Sequence, residues 1–243
     1  MEDKSITETY KDTIFKKSIM AQEQAQQIVE LFSRGGFEEF HARFVDVQQL
    51  MSCYRCAILE VETKFKVLDE QLSLLYERNP IDSITSRLKS PESIYEKVVR
   101  KHLPPGIESI EKNLCDIAGV RVVCSFVDDI YMLAQSFLRQ DDVKLIQMKD
   151  YIKNPKPNGY RSLHLIVEVP IFLTDEKKMM RVEVQLRTIA MDLWASLEHK
   201  IYYKKEMNKL TAENAASQLS ECARMCAELD SKMQNIRNYI DSN

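Results

Sequence analysis

The chain has 243 residues, 44% of them apolar, enough for one substantial core with helical appendages and too many for a disordered polymer. Its net charge of −3 gives no global pull towards RNA or anionic membranes, so an anion site must come from a local gathering of Lys and Arg. No segment stays apolar long enough to span a bilayer, and the opening MEDKSITETYKDTIFKK lacks the apolar stretch of a secretory signal. The expected location is the cytoplasm, with six cysteines as reduced thiols.

Residues 1–46 read as a helical extension interrupted at Gly35-Gly36. Val47, Met51, Tyr54, Ile58, Val61, Phe65, Leu68, Leu72 and Leu75 then recur at alternating spacings of four and three, which predicts a long helix with a narrow packing seam. Pro91 opens a helix to about His102, Gly119 to Val127 reads as a β-branched strand, and Asp128-Asp129 caps a helix to about Arg139. Strands follow over 143–152, 160–169 and 179–187, with turn chemistry at Asn158-Gly159. A helix from Thr188 to about Lys204 is expected to bury Ile189, Leu193, Leu197 and Ile201. Residues 206–243 supply a last helix, whose seam of Ala212, Ala215, Leu219, Cys222, Cys226, Leu229, Met233, Ile236 and Ile240 predicts packing on the long helix near Val47 or on another subunit. The fold class is α+β: a mixed sheet flanked by helices over 47–205, with long packing helices at its ends.

Cys53-x-x-Cys56 and Cys222-x-x-x-Cys226 offer four thiolates on two helices, the ligand count of a structural zinc site. Their phases argue against convergence, since Cys222 and Cys226 fall on the seam of their helix while Cys53 and Cys56 flank the seam of theirs.

In residues 181–187 the period of two sends Val182, Val184 and Leu186 to one side of the sheet and Arg181, Glu183, Gln185 and Arg187 to the other. The preceding strand points Leu163, Leu165, Val167 and Val169 one way and Tyr160, Ser162 and His164 the other. A solvated antiparallel face shows the same alternation; the mixture of phenol, imidazole, carboxylate, amide and guanidiniums is what argues for a polar cleft.

Arg87, Lys89, Ser93 and Lys97 surround the helix start at Pro91, where unpaired backbone N–H groups and side-chain cations converge as in an anion site. None of the five glycines stands in a P-loop frame, so a polyphosphate would be held by side-chain cations. Asp116 precedes the strand GVRVVC, from which a carboxylate can project beyond the sheet end. Paired with Glu183 it suits Mg²⁺ bridging a polyphosphate, since Mg²⁺ keeps several waters and needs only one or two protein oxygens.

Arg87 to Lys97 in the frame R-x-K-x-x-x-S-x-x-x-K, DIAGVRV at 116–122, KDYIxxPKxNGYRSLH at 149–164, VEVQLRT at 182–188 and DLWASLEHK at 192–200 together closely resemble the RelA/SpoT-type alarmone synthetase domain, over about residues 47–240. The chain looks most like the small stand-alone synthetases, with no His-Asp dipeptide among its four histidines, and this implies synthesis without hydrolysis. The resemblance implies a nucleotidyltransferase-like fold, a homotetramer, and transfer of pyrophosphate from ATP to the 3′-hydroxyl of GDP or GTP. It also implies roles for the matching residues. Arg87 and Arg121 stack on adenine; Lys89, Ser93 and Lys97 hold the ATP phosphates; Asp116 and Glu183 hold Mg²⁺. Tyr160 stacks on guanine, Glu183 also accepts the 3′-hydroxyl proton, and Lys149, His164, Gln185 and Arg187 fix the acceptor nucleotide.

One position departs from the pattern. Many bifunctional relatives carry Arg in an R-x-K-D motif where this chain has Gln147, with Lys149 and Asp150 retained, so no preference between GDP and GTP is carried over. Two other readings stand beside this one: a related pyrophosphokinase with an adenine nucleotide or a tRNA end as acceptor, and a catalytically silent oligomer that binds nucleotides or RNA. Retention of both Asp116 and Glu183 argues against silence.

Overall fold

The computed structural model describes residues 36–104, 106–202 and 209–242, so most of the expected N-terminal extension and the expected boundary near residue 205 lie outside the described residues. The chain divides into two compact units, 1–49 and 50–243, and the sheet with the helices that flank it belongs to the second.

Helix α1 (Gly36–Tyr76) buries its seam from Met51 through Leu72, and Phe65 stacks on Phe137 with 4.6 Å between ring centroids. Leu75 lies beyond the core and is exposed, so the seam ends one step earlier than its spacing suggests. There follow β1 (Ile81–Leu88), α2 (Pro91–Arg100), α3 (Ile107–Asn113), β2 (Ala118–Cys124), α4 (Val127–Leu138), β3 (Lys144–Asp150), β4 (Leu163–Phe172), β5 (Lys177–Thr188), α5 (Ile189–Tyr202) and α6 (Lys209–Asp241). The sheet order is β1-β2-β5-β4-β3, with β2 and β5 parallel and the other neighbours antiparallel, the mixed sheet that the sequence predicts. Val120, Val122, Leu163, Leu165, Val167, Val182, Val184 and Leu186 are buried together with Ile130, Leu133 and Phe137 of α4, so the apolar half of each alternation forms the core. Strand β1 and helix α3 go beyond the sequence reading. As an edge strand with half of its residues exposed, β1 carries only a weak apolar alternation.

Helix α4 corrects the expected cap. Phe126 is the N-cap residue, and Asp129 sits inside the first turn, where its buried carboxylate accepts the Phe126 N–H at 3.2 Å and pairs with Arg78 at 2.6 Å. Strand β4 begins at Leu163, which leaves Tyr160 in the loop before it. Ser162 is fully buried and donates to the Leu186 carbonyl at 3.1 Å, so it does not line the cleft.

The two C-terminal helices turn differently from their apolar stripes. Helix α5 buries Ala190, Met191, Trp194 and Ala195, while Ile189, Leu193, Leu197 and Ile201 are 52%, 56%, 48% and 38% exposed. Small side chains allow close approach of α6, and the Trp194 indole N–H donates to the Leu219 carbonyl at 2.8 Å. Helix α6 packs mainly on α5 and α4 and not along α1. Its inward face starts apolar, with Leu219, Ala223 and Cys226, then becomes polar: Asp230 accepts from Thr188 at 2.9 Å, and Arg237 pairs with Asp128 at 3.2 Å. Leu229, Met233, Ile236 and Ile240 face outward, as does Cys222, whose place on the seam Ala223 takes. No helix among the described residues is long and apolar enough to cross a membrane.

Candidate active site

Strand register lines up the candidate residues on one sheet face. Thr85, Arg121, Gln185, His164 and Lys149 are successive cross-strand partners from β1 to β3, one row across the whole sheet. In the next row Arg87, Gly119, Glu183, Ile166 and Gln147 are partners in the same way. Gln147 thus shares a row with Glu183. Gly119 has no side chain between Arg87 and Glu183, so a cleft of about 450 Å³ opens there, lined by Thr85, Ser86, Arg87, Arg121, Glu183, Gln185 and Arg187 among others.

At the sheet end, the loop before β2 presents Asp116 to two ammonium groups. Lys89 and Lys97 both donate to its Oδ2 at 2.6 Å, Lys89 from the β1–α2 junction and Lys97 from the last turn of α2. Burial favours the neutral acid, but the paired lysines outweigh it and hold Asp116 down at about 2, ionised at any physiological pH. The other oxygen, Oδ1, is buried without a hydrogen-bond partner. Glu183 is the second carboxylate: burial and the charge of Asp116 raise it, while hydrogen bonds from His164 and Gln185 more than compensate and lower it. A carboxylate with a spare buried oxygen, facing a second close enough to feel its charge, fits the sparse donor set that Mg²⁺ takes.

The acceptor-side candidates form one hydrogen-bonded chain. Arg187 donates to the Tyr160 hydroxyl at 2.6 Å, Tyr160 meets His164 Nε2 at 2.7 Å, and His164 Nδ1 lies 3.3 Å from Glu183 Oε1. The tautomer with hydrogen on Nδ1 satisfies every link, with Tyr160 donating to Nε2. Gln185 closes the ring, donating to Glu183 at 3.0 Å and accepting from Arg187 at 2.9 Å. Lys149 is exposed on the edge strand beside His164. Ser93 stands in the first turn of α2, where its N–H donates to the capping Ser90 hydroxyl at 3.3 Å, and its side chain is exposed. Arg181 shares the polar face but is drawn away from the cleft, donating to Glu168 at 3.1 Å and to the Lys112 carbonyl at 2.8 Å.

Other site residues escape a pattern reading. Asp192, in the first turn of α5, joins Arg187 at 3.1 Å and Arg121 at 3.2 Å. Lys156 sits over the rings of Tyr151 and Tyr160 at 4.8 and 4.7 Å, and Tyr151 meets His164 edge-on at 5.2 Å. Asp150 shapes the start of this loop by accepting the N–H groups of Ile152 and Lys153, each at 3.0 Å. The signal in sequence for Asp150, Tyr151 and Lys156 is membership of the segment 149–164, and for Asp192 membership of 192–200, because rings and ammoniums in a loop have no period.

Residues 86–208 match the family described as the region found in RelA/SpoT proteins. The chain belongs to the RelA/SpoT family. GTP pyrophosphokinase YwaC of Bacillus subtilis is 43% identical over 188 residues, 77% of this chain and 89% of the relative. The solved small alarmone synthetase 2 from Bacillus subtilis superimposes with a TM-score of 0.71 at 41% identity, covering 80% of this chain and 99% of the other. Small alarmone synthetase 1 from the same organism, solved with its product pppGpp, gives 0.72 at 34% identity, covering 80% and 98%. The matched region contains the cleft residues from Ser86 to Arg187, and Asp192 beside them.

Proposed function

We propose that this protein is a GTP pyrophosphokinase, which transfers pyrophosphate from ATP to the 3′-hydroxyl of GDP or GTP and yields AMP with guanosine tetra- or pentaphosphate. The carrying observation is that Glu183, in a cleft whose other charged lining groups are the cations Arg87, Arg121 and Arg187, lies close enough to the ionised Asp116, with its unpartnered Oδ1, to feel its charge. Kinship with small alarmone synthetases, one of them solved with pppGpp, supports the same reading.

In this reading Arg87 and Arg121, two residues off register on adjacent strands, hold adenine between planar guanidiniums, and Lys89, Lys97 and Ser93 bind the ATP phosphates. Asp116 and Glu183 hold Mg²⁺, which when bound neutralises charge on the polyphosphate. Tyr160 offers its ring to guanine, with Lys149, His164, Gln185 and Arg187 around the acceptor. Glu183 takes the proton from the 3′-hydroxyl; the oxygen attacks the β-phosphorus in line; the bond from that phosphorus to the oxygen of the α-phosphate breaks, and AMP leaves. Chemistry of this kind needs positioning and charge neutralisation more than covalent catalysis. The product is not hydrolysed by the same protein.

Self-association belongs to the proposal, as a homotetramer. Its support in this chain is the apolar stripe on α6, Leu229, Met233, Ile236 and Ile240, together with that on α5, both left outside the core.

The test is incubation with ATP, Mg²⁺ and either GDP or GTP, followed by separation of products. AMP and a 3′-pyrophosphorylated guanine nucleotide should appear together. AMP release only with an adenine nucleotide or tRNA as acceptor would move the function to another pyrophosphokinase.

A further inference from the structure

Arg121 and Arg187 are adjacent-strand residues on one face of the sheet, offset by two residues of register: Arg121 is opposite Gln185, and Arg187 opposite Val123. Arg187 is 5% exposed, and each guanidinium leaves its Nε buried without a partner. Two such cations repel at this distance unless an anion lies between them. Asp192 is that anion. Its Oδ1 alone accepts from Arg187 at 3.1 Å and pairs with Arg121 at 3.2 Å, and among the described residues no other carboxylate is paired with either guanidinium. Asp192 does not line the cleft. It stands in the first turn of α5, where the helix dipole favours a negative charge.

We propose that Asp192 is a positioning residue that holds Arg121 and Arg187 at a fixed separation and so couples the donor and acceptor halves of the cleft. This rests on the proposed function, in which Arg121 contacts ATP and Arg187 the acceptor. One carboxylate oxygen shared by both arginines sets the aim of each. Arg187 has further anchors in Tyr160 and Gln185, whereas Asp192 is the side-chain partner that the structure gives Arg121. Loss of the charge therefore affects the ATP half more than the acceptor half.

The experiment measures steady-state kcat and KM for ATP and for GDP in Asp192→Asn, Asp192→Glu, Arg121→Ala, Arg187→Ala and the Arg121→Ala, Asp192→Asn double variant, with thermal melts on each. In Asp192→Asn, KM for ATP should rise about tenfold, the scale of one charge-assisted hydrogen bond, and KM for GDP by less, while kcat stays within about threefold. Asp192→Glu keeps the charge and should recover most of the loss. In the double variant KM for ATP should match that of Arg121→Ala alone, because Asp192 acts through Arg121. Should Asp192→Asn fail to fold, Asp192→Glu carries the test: folded and within threefold of the parent it supports the role, and folded with KM for ATP tenfold higher it overturns it. Unchanged or lowered KM in folded Asp192→Asn, a kcat loss alone, or additive effects in the double variant would each overturn the inference while Arg121→Ala and Arg187→Ala stay impaired. If those two alanine variants themselves bind both nucleotides normally, the reading of the cleft falls and takes the inference with it.

Discussion

A Cβ built on Gly159 would stand 2.4 Å from the Cβ of Ala223, so the turn that leads into Tyr160 rests directly on helix α6. Gly159 also holds φ at +91°, a region costly to any side chain. Tyr160 belongs to the same small cluster, packed with Trp194, Ala195, Leu219, Ala223 and Cys226. The C-terminal helix is therefore part of what positions the ring. Gly159→Ala should cost about 1–3 kcal/mol of stability from strain and overlap, measured by urea unfolding, and should raise KM for the guanine nucleotide more than for ATP. An alanine variant with parental stability would show that the turn yields without cost.

Asp116→Asn and Glu183→Gln keep shape while removing the charges proposed to hold Mg²⁺. Each should lower kcat by about 10² or more, the scale of losing a key electrostatic group. Near-parental turnover in either variant, assayed at saturating Mg²⁺, would remove that residue from the metal site.

Tyr160 separates two contributions, because its hydroxyl can be removed while its ring is kept. Tyr160→Ala should weaken acceptor binding by about 1–3 kcal/mol through lost stacking, with ATP affinity little changed. Tyr160→Phe keeps the ring and breaks only the links to Arg187 and His164, so its acceptor affinity should lie between the alanine variant and the parent. Calorimetric titration with a guanine nucleotide distinguishes them; equal losses would assign the role to the hydroxyl.

Acid stability follows from Asp116, whose carboxyl is held at about 2 against an ordinary value of 3.8. A lowered value stabilises the fold above the unfolded-state value and loses that contribution as pH falls from near 4 towards 2. In metal-free protein the free energy of unfolding should therefore decline less steeply over this window in Asp116→Asn than in the parent, by about 2 kcal/mol in total. Parallel curves would mean that Lys89 and Lys97 do not hold the carboxylate in solution.

The outward stripe of α6 bears on assembly. Met233 and Ile236 are 47% and 54% exposed in the isolated chain, so the double change Met233→Asp, Ile236→Asp should leave the fold intact. In an apolar subunit contact the same change buries unpaired carboxylates, at several kcal/mol each. Light scattering should then report a smaller particle with unchanged circular dichroism. Unchanged mass would clear this stripe of any role in self-association.

The sequence by itself determined that Glu183, Gln185, Arg187 and His164 share the polar face of the sheet, because the two-residue period of a strand assigns each side chain to a face wherever the strand is placed. It determined the buried seam of α1 for a similar reason, since Met51 through Leu72 repeat at helical spacing against a single core. The same logic failed on α5 and α6. An apolar stripe records that a face avoids water without saying whether the core or another chain covers it, and here the core took Ala190, Trp194 and Ala223 in place of Leu193, Leu197 and Leu229. Only the tertiary structure decided the rest: that Ser162 is buried on the Leu186 carbonyl, that Lys89 and Lys97 share one oxygen of Asp116, and that Asp192 lies between two arginines. Each of these contacts joins residues from different elements, and their separation in space is set by how the elements pack, which no local periodicity encodes.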